Sequence, residues 1–386
     1  MLMGKKAILF AICILFMMMA GCSGRAKTTS STSTPPASQG QPITTTQATA
    51  NPPATQNQAA AQPALDAVDF VSDMVGYVGG QGIILKSADG GLTWSKLYAS
   101  PDNVVSVDAV DAVNVWAATS DYLLRSTDGG SFQRVDPAIN ASQGSKGISA
   151  IDFVSGDQGF ILANGVIWRL TNGADVQMAT PSGRVDSLSF VDLNNGFAAG
   201  ANMVYKTGDG GRTWTRIFTA PVAGPNGQDA WRAAIRAGSA SNAWLLVYGG
   251  DEGMSQTAYV VFHTTDGAGF IPVMDEGYFS VDYPTIHLDN NNQNIGIQLG
   301  PFTVYGDQDA FFTGWGAVQL LLTRTVDNGK SFTSTDIGAH IDTLPDYGST
   351  FGISFTDATH GWLVGSQNGQ GIILDTTDGE TFKAVP

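Results

Sequence analysis

The sequence predicts an all-β fold, a seven-bladed β-propeller with four antiparallel strands per blade, and two observations carry that prediction. A turn motif recurs down the chain: SADGGLTW at 87–94, STDGGSF at 126–132, TGDGGRTW at 207–214, TTDGAGF at 264–270, TVDNGKSF at 325–332 and TTDGETF at 376–382. Repetition at a spacing of some tens of residues marks one supersecondary unit stacked on copies of itself. Between the turns the chain runs in short stretches rich in Val, Ile, Phe, Trp and Gly, with no helical period and four stretches to a unit, which is the make-up of a propeller blade.

Each copy of the turn has a small or hydroxyl residue, a free position, Asp, one or two Gly, then Thr or Ser and an aromatic. Gly91 is suited to positive φ, the Asp89 carboxylate to accepting backbone N–H groups inside the turn, and Trp94 to filling a seam from the next strand. Ser87, Asp89, Gly91, Trp94, Asp128, Asp209, Trp214, Asp266, Asp327 and Asp378 are therefore assigned architectural roles. A faded copy stands at Thr171-Asn172-Gly173, and with it the motif marks seven units. Seven blades close a ring, whereas an open stack leaves apolar ends that need atypical caps.

In chain order, residues 1–21 carry Lys5 and Lys6, the apolar run Ala7 to Met19, and then Ala20 and Gly21, the layout of an export signal. The ending Met-Ala-Gly-Cys resembles a bacterial lipoprotein signal, which implies lipidation of Cys22 and anchorage of the exported protein to the cell membrane. Cys13 lies in the segment to be removed, so Cys22 is the single mature cysteine and no intramolecular disulfide is expected. Residues 22–64 are almost wholly Ser, Thr, Pro, Gln, Ala, Gly and Asn, too polar to bury a core, and read as a disordered tether.

The propeller takes up residues 65–386. Strands are expected at 67–71, 75–79, 83–87 and 93–97 in the first unit, and at 104–110, 114–118, 122–126 and 132–135 in the second. The third has 148–153, 159–162, 166–170 and 176–179; the fourth has 188–191, 196–200, 203–207 and 213–218. The fifth has 231–237, 243–248, 259–264 and 270–273, the sixth 295–299, 311–314, 320–325 and 332–335, and the last 351–355, 361–364, 371–375 and 381–385. Face-to-face packing of the first and last units, without a shared blade, closes the ring.

The repeated turn resembles the Asp-box, or BNR repeat, over essentially all of 65–386. An aromatic after Gly in the second strand and an Ile-Ile-Leu-Lys or Leu-Leu-Arg third strand resemble the photosystem II assembly and stability factor family, which implies a non-enzymatic assembly role. Asp-box propellers also include sialidases, which need an arginine cluster for the substrate carboxylate. Here Arg125, Arg169 and Arg324 are expected on or beside third strands at the rim. Arg212 falls inside a turn, Arg134 and Arg216 in outer strands, and only Arg184, Arg232 and Arg236 near the opposite face. Glutamate is scarce, at Glu252, Glu276 and Glu380, so the sialidase pattern is not met.

No other catalytic constellation emerges. His263, His287, His340 and His360 are dispersed without zinc-motif spacing, and Asp289 to Asn294 lacks the positional pattern of a calcium loop, so no metal and no cofactor is expected. The formal net charge of −15 disfavours a phosphate backbone as partner and excludes nucleic-acid binding as a leading function.

Specificity on a rigid ring belongs to loops of unequal length, here 140–146, 220–230, 272–294 and 336–349, on the face opposite the repeated turns. The candidate binding residues are Trp231, Arg232, Glu276, Tyr278, Phe279, Tyr283, His287, Asp346 and Tyr347, aromatic anchors with a few charges that suit a protein, or a glycan. The competing class is an extracellular glycoside hydrolase that uses acids of the same face, with Asp275, Glu276 and Asp282 as its candidates.

Overall fold

A computed structural model describes residues 63–139, 145–172, 174–222, 231–249, 258–275, 298–315, 319–340, 345 and 351–385. They form seven antiparallel sheets in strict chain order, at 65–103, 106–135, 148–177, 187–219, 231–275, 298–336 and 352–384, each a blade of the expected propeller. Among the described residues no helix is long and apolar enough to cross a membrane.

The first blade departs in form from the sequence expectation, because its second and third strands are one continuous element, Gly76–Ser87. Its first half pairs with Leu65–Phe70 and its second half with Ser95–Asn103. Tyr77 and Ile84 lie an odd number of positions apart, so a straight strand would set them on opposite faces. They share one core cluster, and Lys86 Nζ lies 5.2 Å from the centre of the Tyr77 ring. The element therefore folds back at Gln81–Gly82, where Gly82 takes a φ of 69°, and does the work of two strands.

The sixth blade also differs. Its first strand, described at Gln298–Tyr305, runs past the expected end at 299. Gly300 and Pro301 sit at a register shift between Leu299 and Phe302, where a proline's missing N–H is tolerated.

The apolar core is divided among seven clusters, and each joins one blade to the next. The first strand of every blade touches the first strands of both neighbours in a closed circuit, so these strands line the ring axis. The closing seam is face to face, as expected. Phe70 stacks on Trp362 with ring centres 3.5 Å apart, Phe70 N donates to Ser354 Oγ, and Trp362 Nε1 donates to Gly90 O.

One steric rule repeats around the ring. Trp116 stacks on Phe153, Phe160 on Phe190, Phe311 on Phe355 and Trp362 on Phe70, always a second-strand aromatic of one blade on a first-strand Phe of the next. Each such Phe faces a glycine across its own sheet, in the pairs Phe70 with Gly76, Phe153 with Gly159, Phe190 with Gly196 and Phe355 with Gly361. A Cβ on any of these glycines would come within 2.4 Å of the Phe ring. In the remaining blades the Phe is absent and a side chain takes the glycine's place, as Ala109 opposite Val115 and Ala237 opposite Ala243 show.

Gly159→Ala is therefore expected to destabilise the protein by roughly 1–3 kcal/mol through overpacking, and Phe153→Ala by about 3–5 kcal/mol. The double variant Phe153→Ala/Gly159→Val, which copies blade two, should cost clearly less than the sum, as read from urea-denaturation midpoints. Additive effects would contradict the rule.

Candidate functional site

The repeated turns consume their own polar chemistry. Ser87 Oγ donates to Asp89 Oδ1 at 2.8 Å and accepts from Gly91 N at 2.8 Å, while Thr93 N and Thr93 Oγ1 donate to the two Asp89 oxygens at 2.9 and 2.6 Å. Asp209 repeats this with Thr207, Gly211 and Thr213, and Asp327 with Thr325, Gly329 and Ser331. Asp128, Asp266 and Asp378 close a shorter version with the N–H groups two and three residues on.

These bonds favour the ionised carboxylate. The Thr213 hydroxyl and N–H hold Asp209 down to about 2, and the N–H groups of Thr381 and Glu380 hold Asp378 at about 2. Asp89 is lowered by Thr93, Asp128 by the Ser131 N–H and Asp266 by the Gly269 N–H. Asp327 is lowered as well, since slight burial is outweighed by the bonds from Ser331. Carboxylates so fully engaged are poor proton donors or acceptors at neutral pH. The faded copy keeps its mechanical task, with Asn172 at a φ of 50° and its N–H on Asp157 O, as Gly90 N bonds Met74 O in blade one.

Three of the third-strand cations, Lys86, Lys206 and Arg324, clamp the next blade. Lys86 reaches past Tyr77 to Gly129 O in the next blade at 2.8 Å, and Lys206 lies over Phe197 and donates to Gly267 O at 3.1 Å. Arg125 lies over Trp116, Arg169 over Phe160, and Arg324 donates to Ala358 O at 3.1 Å and pairs with Glu380. Of these arginines Arg324 bonds into the next blade, while Arg125 and Arg169 cover the second-strand aromatic of their own blade. His263 stacks on Trp244 at 3.9 Å and meets Asn242 Oδ1 through Nε2, and burial depresses it to about 4.

Of the expected binding residues, two are described. Strand Trp231–Ala237 alternates so that Trp231, Ala233 and Ile235 are buried while Arg232 and Arg236 are exposed. Trp231 is 0% exposed in the seam between blades four and five, so its expected role as a surface anchor is corrected by the strand's period of two. Arg232 keeps a side chain 46% exposed and pairs with Asp186 at 3.4 Å, which Arg184 also meets. The other Asp186 oxygen accepts Ala201 N and Ala233 N, tying this cluster to both blades. Burial and then the Asp186 charge push the nearby Tyr248 hydroxyl up. Glu276, Tyr278, Phe279, Tyr283, His287, Asp346, Tyr347 and Cys22 lie outside the described residues.

Three carboxylates on the ring axis were not singled out from the sequence. Asp69, Asp108 and Asp152 sit at the same position of the first strands of blades one to three. Asp69 and Asp152 accept the backbone N–H of Ala109 at 2.7 Å and of Phe190 at 2.6 Å, and Asp108 accepts that of Phe153, each in the following blade. The signal available was the aligned AVDF, SVDA and AIDF against SLSF and GISF, where Ser189 and Ser354 stand in place of Asp.

One group of metal-ligating type exists among the described residues, Asp73, Asp357 and His360, with ligand atoms within 4.8 Å of one another. Its bonds follow the turn pattern: His360 N and Nδ1 meet Asp357 as Asn114 N and Nδ2 meet Asp111 and Asn195 N and Nδ2 meet Asp192, while Thr356 Oγ1 donates to Asp73. His360 thus fills an asparagine position of the turn.

No family model matches the sequence, and no curated protein does. Among solved structures the fold is similar to "YCF48 bound to D1 peptide", with a TM-score of 0.54 and 16% identity over 83% of this chain and 94% of that one. It is also similar to the virginiamycin B lyase of Staphylococcus aureus, with a TM-score of 0.55 and 13% identity over 81% and 94% of the two chains. A chain of the "Mitotic Checkpoint Complex" gives a TM-score of 0.52 and 14% identity over 88% and 98%. Likeness at these identities is likeness of fold.

The lowered turn carboxylates give a pH signature. Their stabilisation is present above the unfolded carboxylate value near 4 and is lost as pH falls through about 2. The stability difference between the wild type and Asp209→Asn is therefore expected to be largest above pH ~4 and to shrink towards pH ~2 in acid titrations followed by circular dichroism.

Proposed function

We propose that this propeller is a non-enzymatic protein-binding or assembly platform that engages its partner through the face of unequal loops. The single observation that carries the reading is the division of labour between the two faces. Turn carboxylates are spent inside their own turns and Lys86 and Lys206 on the next blade, while Arg232 is presented on the other side, paired with Asp186 and open to a partner. A propeller of the same fold, YCF48, is described as bound to a peptide, which supports a protein as the partner class. The turn bonds support the Asp-box reading, and the basic, apolar and small-residue layout of 1–21 supports export with a lipid on Cys22 and residues 22–64 as a tether. A glycan is the second partner class.

A second reading, glycoside hydrolysis, draws on Asp69 and Asp152, which burial raises to about 7 and about 6, a range suited to a general acid. Both also hold the next blade through a backbone N–H, a duty of the scaffold.

Affinity capture from intact membranes of the source cell should recover a protein with the wild-type chain, and lose it with Arg232→Ala and with Tyr278→Ala/Tyr283→Ala. Capture that is indifferent to all three substitutions would overturn the loop-face reading. Oligosaccharide cleavage abolished by Asp69→Asn or Asp152→Asn would favour the hydrolase. Cys22→Ala should release the protein from membranes into the soluble fraction.

A further inference from the structure

The inter-blade clasp on the ring axis needs an acceptor, and it does not need an acid. Ser354 Oγ accepts Phe70 N at 3.0 Å and Ser189 Oγ accepts Ala237 N at 3.1 Å, doing for two seams what Asp69, Asp108 and Asp152 do for three others. A hydroxyl makes this bond without a charge to desolvate. Three consecutive blades carry the costlier group instead, and all three carboxyls face the same axis.

The corresponding positions of the other first strands bring Ser189, Arg236, Thr303 and Ser354, so Arg236 is the one cation at this level. Its Nη1 donates to Ile235 O, its guanidinium lies 5.8 Å from the Phe302 ring, and no ion pair joins it to a carboxylate among the described residues. Nearer the loop face the same strands carry Asp66, on Asn103, and Arg232, on Asp186. Three half-buried acids therefore share one axis with a single arginine, and like charges held close together resist simultaneous ionisation.

We propose that Asp69, Asp108 and Asp152 are a proton-storing cluster on the propeller axis that takes up protons as the surroundings move from alkaline to mildly acidic, and thereby stabilises the arc of blades one to four. A protonated carboxyl keeps a carbonyl oxygen for the N–H of the next blade, so the clasp persists in both states while the repulsion between blades is relieved. Burial, with the Asp152 charge added, raises Asp69 to about 7; burial and then the charges of Asp152 and Asp69 hold Asp108 well above the usual carboxylate range; burial raises Asp152 to about 6, the Arg236 charge opposing the rise at both Asp108 and Asp152. The folded state then binds more protons than the unfolded chain between the unfolded carboxylate value and these raised ones. The contribution is fully present below pH ~4 and is lost as pH rises through about 6 to 7. Depressed His263 works in the opposite sense, its contribution being present above pH ~6.5 and lost towards about 4, so the cluster must be read by difference.

The test compares the full chain with Asp69→Asn/Asp108→Asn/Asp152→Asn, in which each amide keeps the acceptor and drops the charge. Thermal and urea unfolding are followed from pH 5 to pH 8. The expected result is that the triple variant is the more stable protein at pH 8 and that the wild type gains on it as pH falls, by about tenfold or more in the unfolding constant. Carboxyl carbon-13 resonances of the wild type, assigned with single variants, should show Asp69 titrating near 7. A wild-type-to-variant difference that is the same at pH 5 and pH 8, or axial carboxyls that titrate below pH 4.5, would overturn the proposal. The resonance measurement stands on the wild type alone if the triple variant does not fold.

Discussion

Everything in this ring hangs on the contact between a second-strand aromatic of one blade and the first strand of the next. At four seams that contact is a ring-on-ring stack, and each stack forces a glycine opposite the phenylalanine because no Cβ fits beneath it. Such pairs contribute about 0.5–1.5 kcal/mol beyond the area they bury. Their larger effect is geometric. They fix how closely adjacent blades approach, which places the first strands in one closed circuit around the axis.

The polar residues follow from that frame. Once the aromatic is seated, the cation beside it on the third strand lies over its ring and reaches the next blade's turn, as Lys86 and Lys206 do. The turn in turn needs a carboxylate to gather its N–H groups. Charge on this face is therefore absorbed locally. The axial carboxyls, clasped blade to blade and half-buried, form a second environment in which the same residue type behaves in the opposite way. Aspartate is strongly acidic in the turns and weakly acidic on the axis, because hydrogen bonds to the anion dominate in one and desolvation in the other.

Much of the fold was legible because its signals are local. The turn needs Asp and Gly at set offsets whatever surrounds it, so SADGGLTW and its copies could be counted, and the faded copy at Asn172 still carried the left-handed residue and the bond that the unit requires. The merged element Gly76–Ser87 and the strand Gln298–Tyr305 were less legible, since a fold-back at Gln81–Gly82 and a register shift beside Pro301 depend on what the neighbouring strand tolerates. Trp231 and Arg232 show the same limit at a candidate site. Composition marks both as anchors, and only the strand's orientation decides that one is buried in a seam and the other exposed.

By itself, then, the sequence determined the repeat, the number of blades, the strand class and the turn chemistry, because each is set by residues within a few positions of one another. Tertiary structure alone decided which blade face each side chain meets, that Lys86, Lys206 and Arg324 clamp neighbours, and that Asp69, Asp108 and Asp152, far apart in the chain, share one axis. The physical reason is that desolvation and charge–charge coupling depend on distance through space, and the ring brings together in space what its repeats keep apart in sequence.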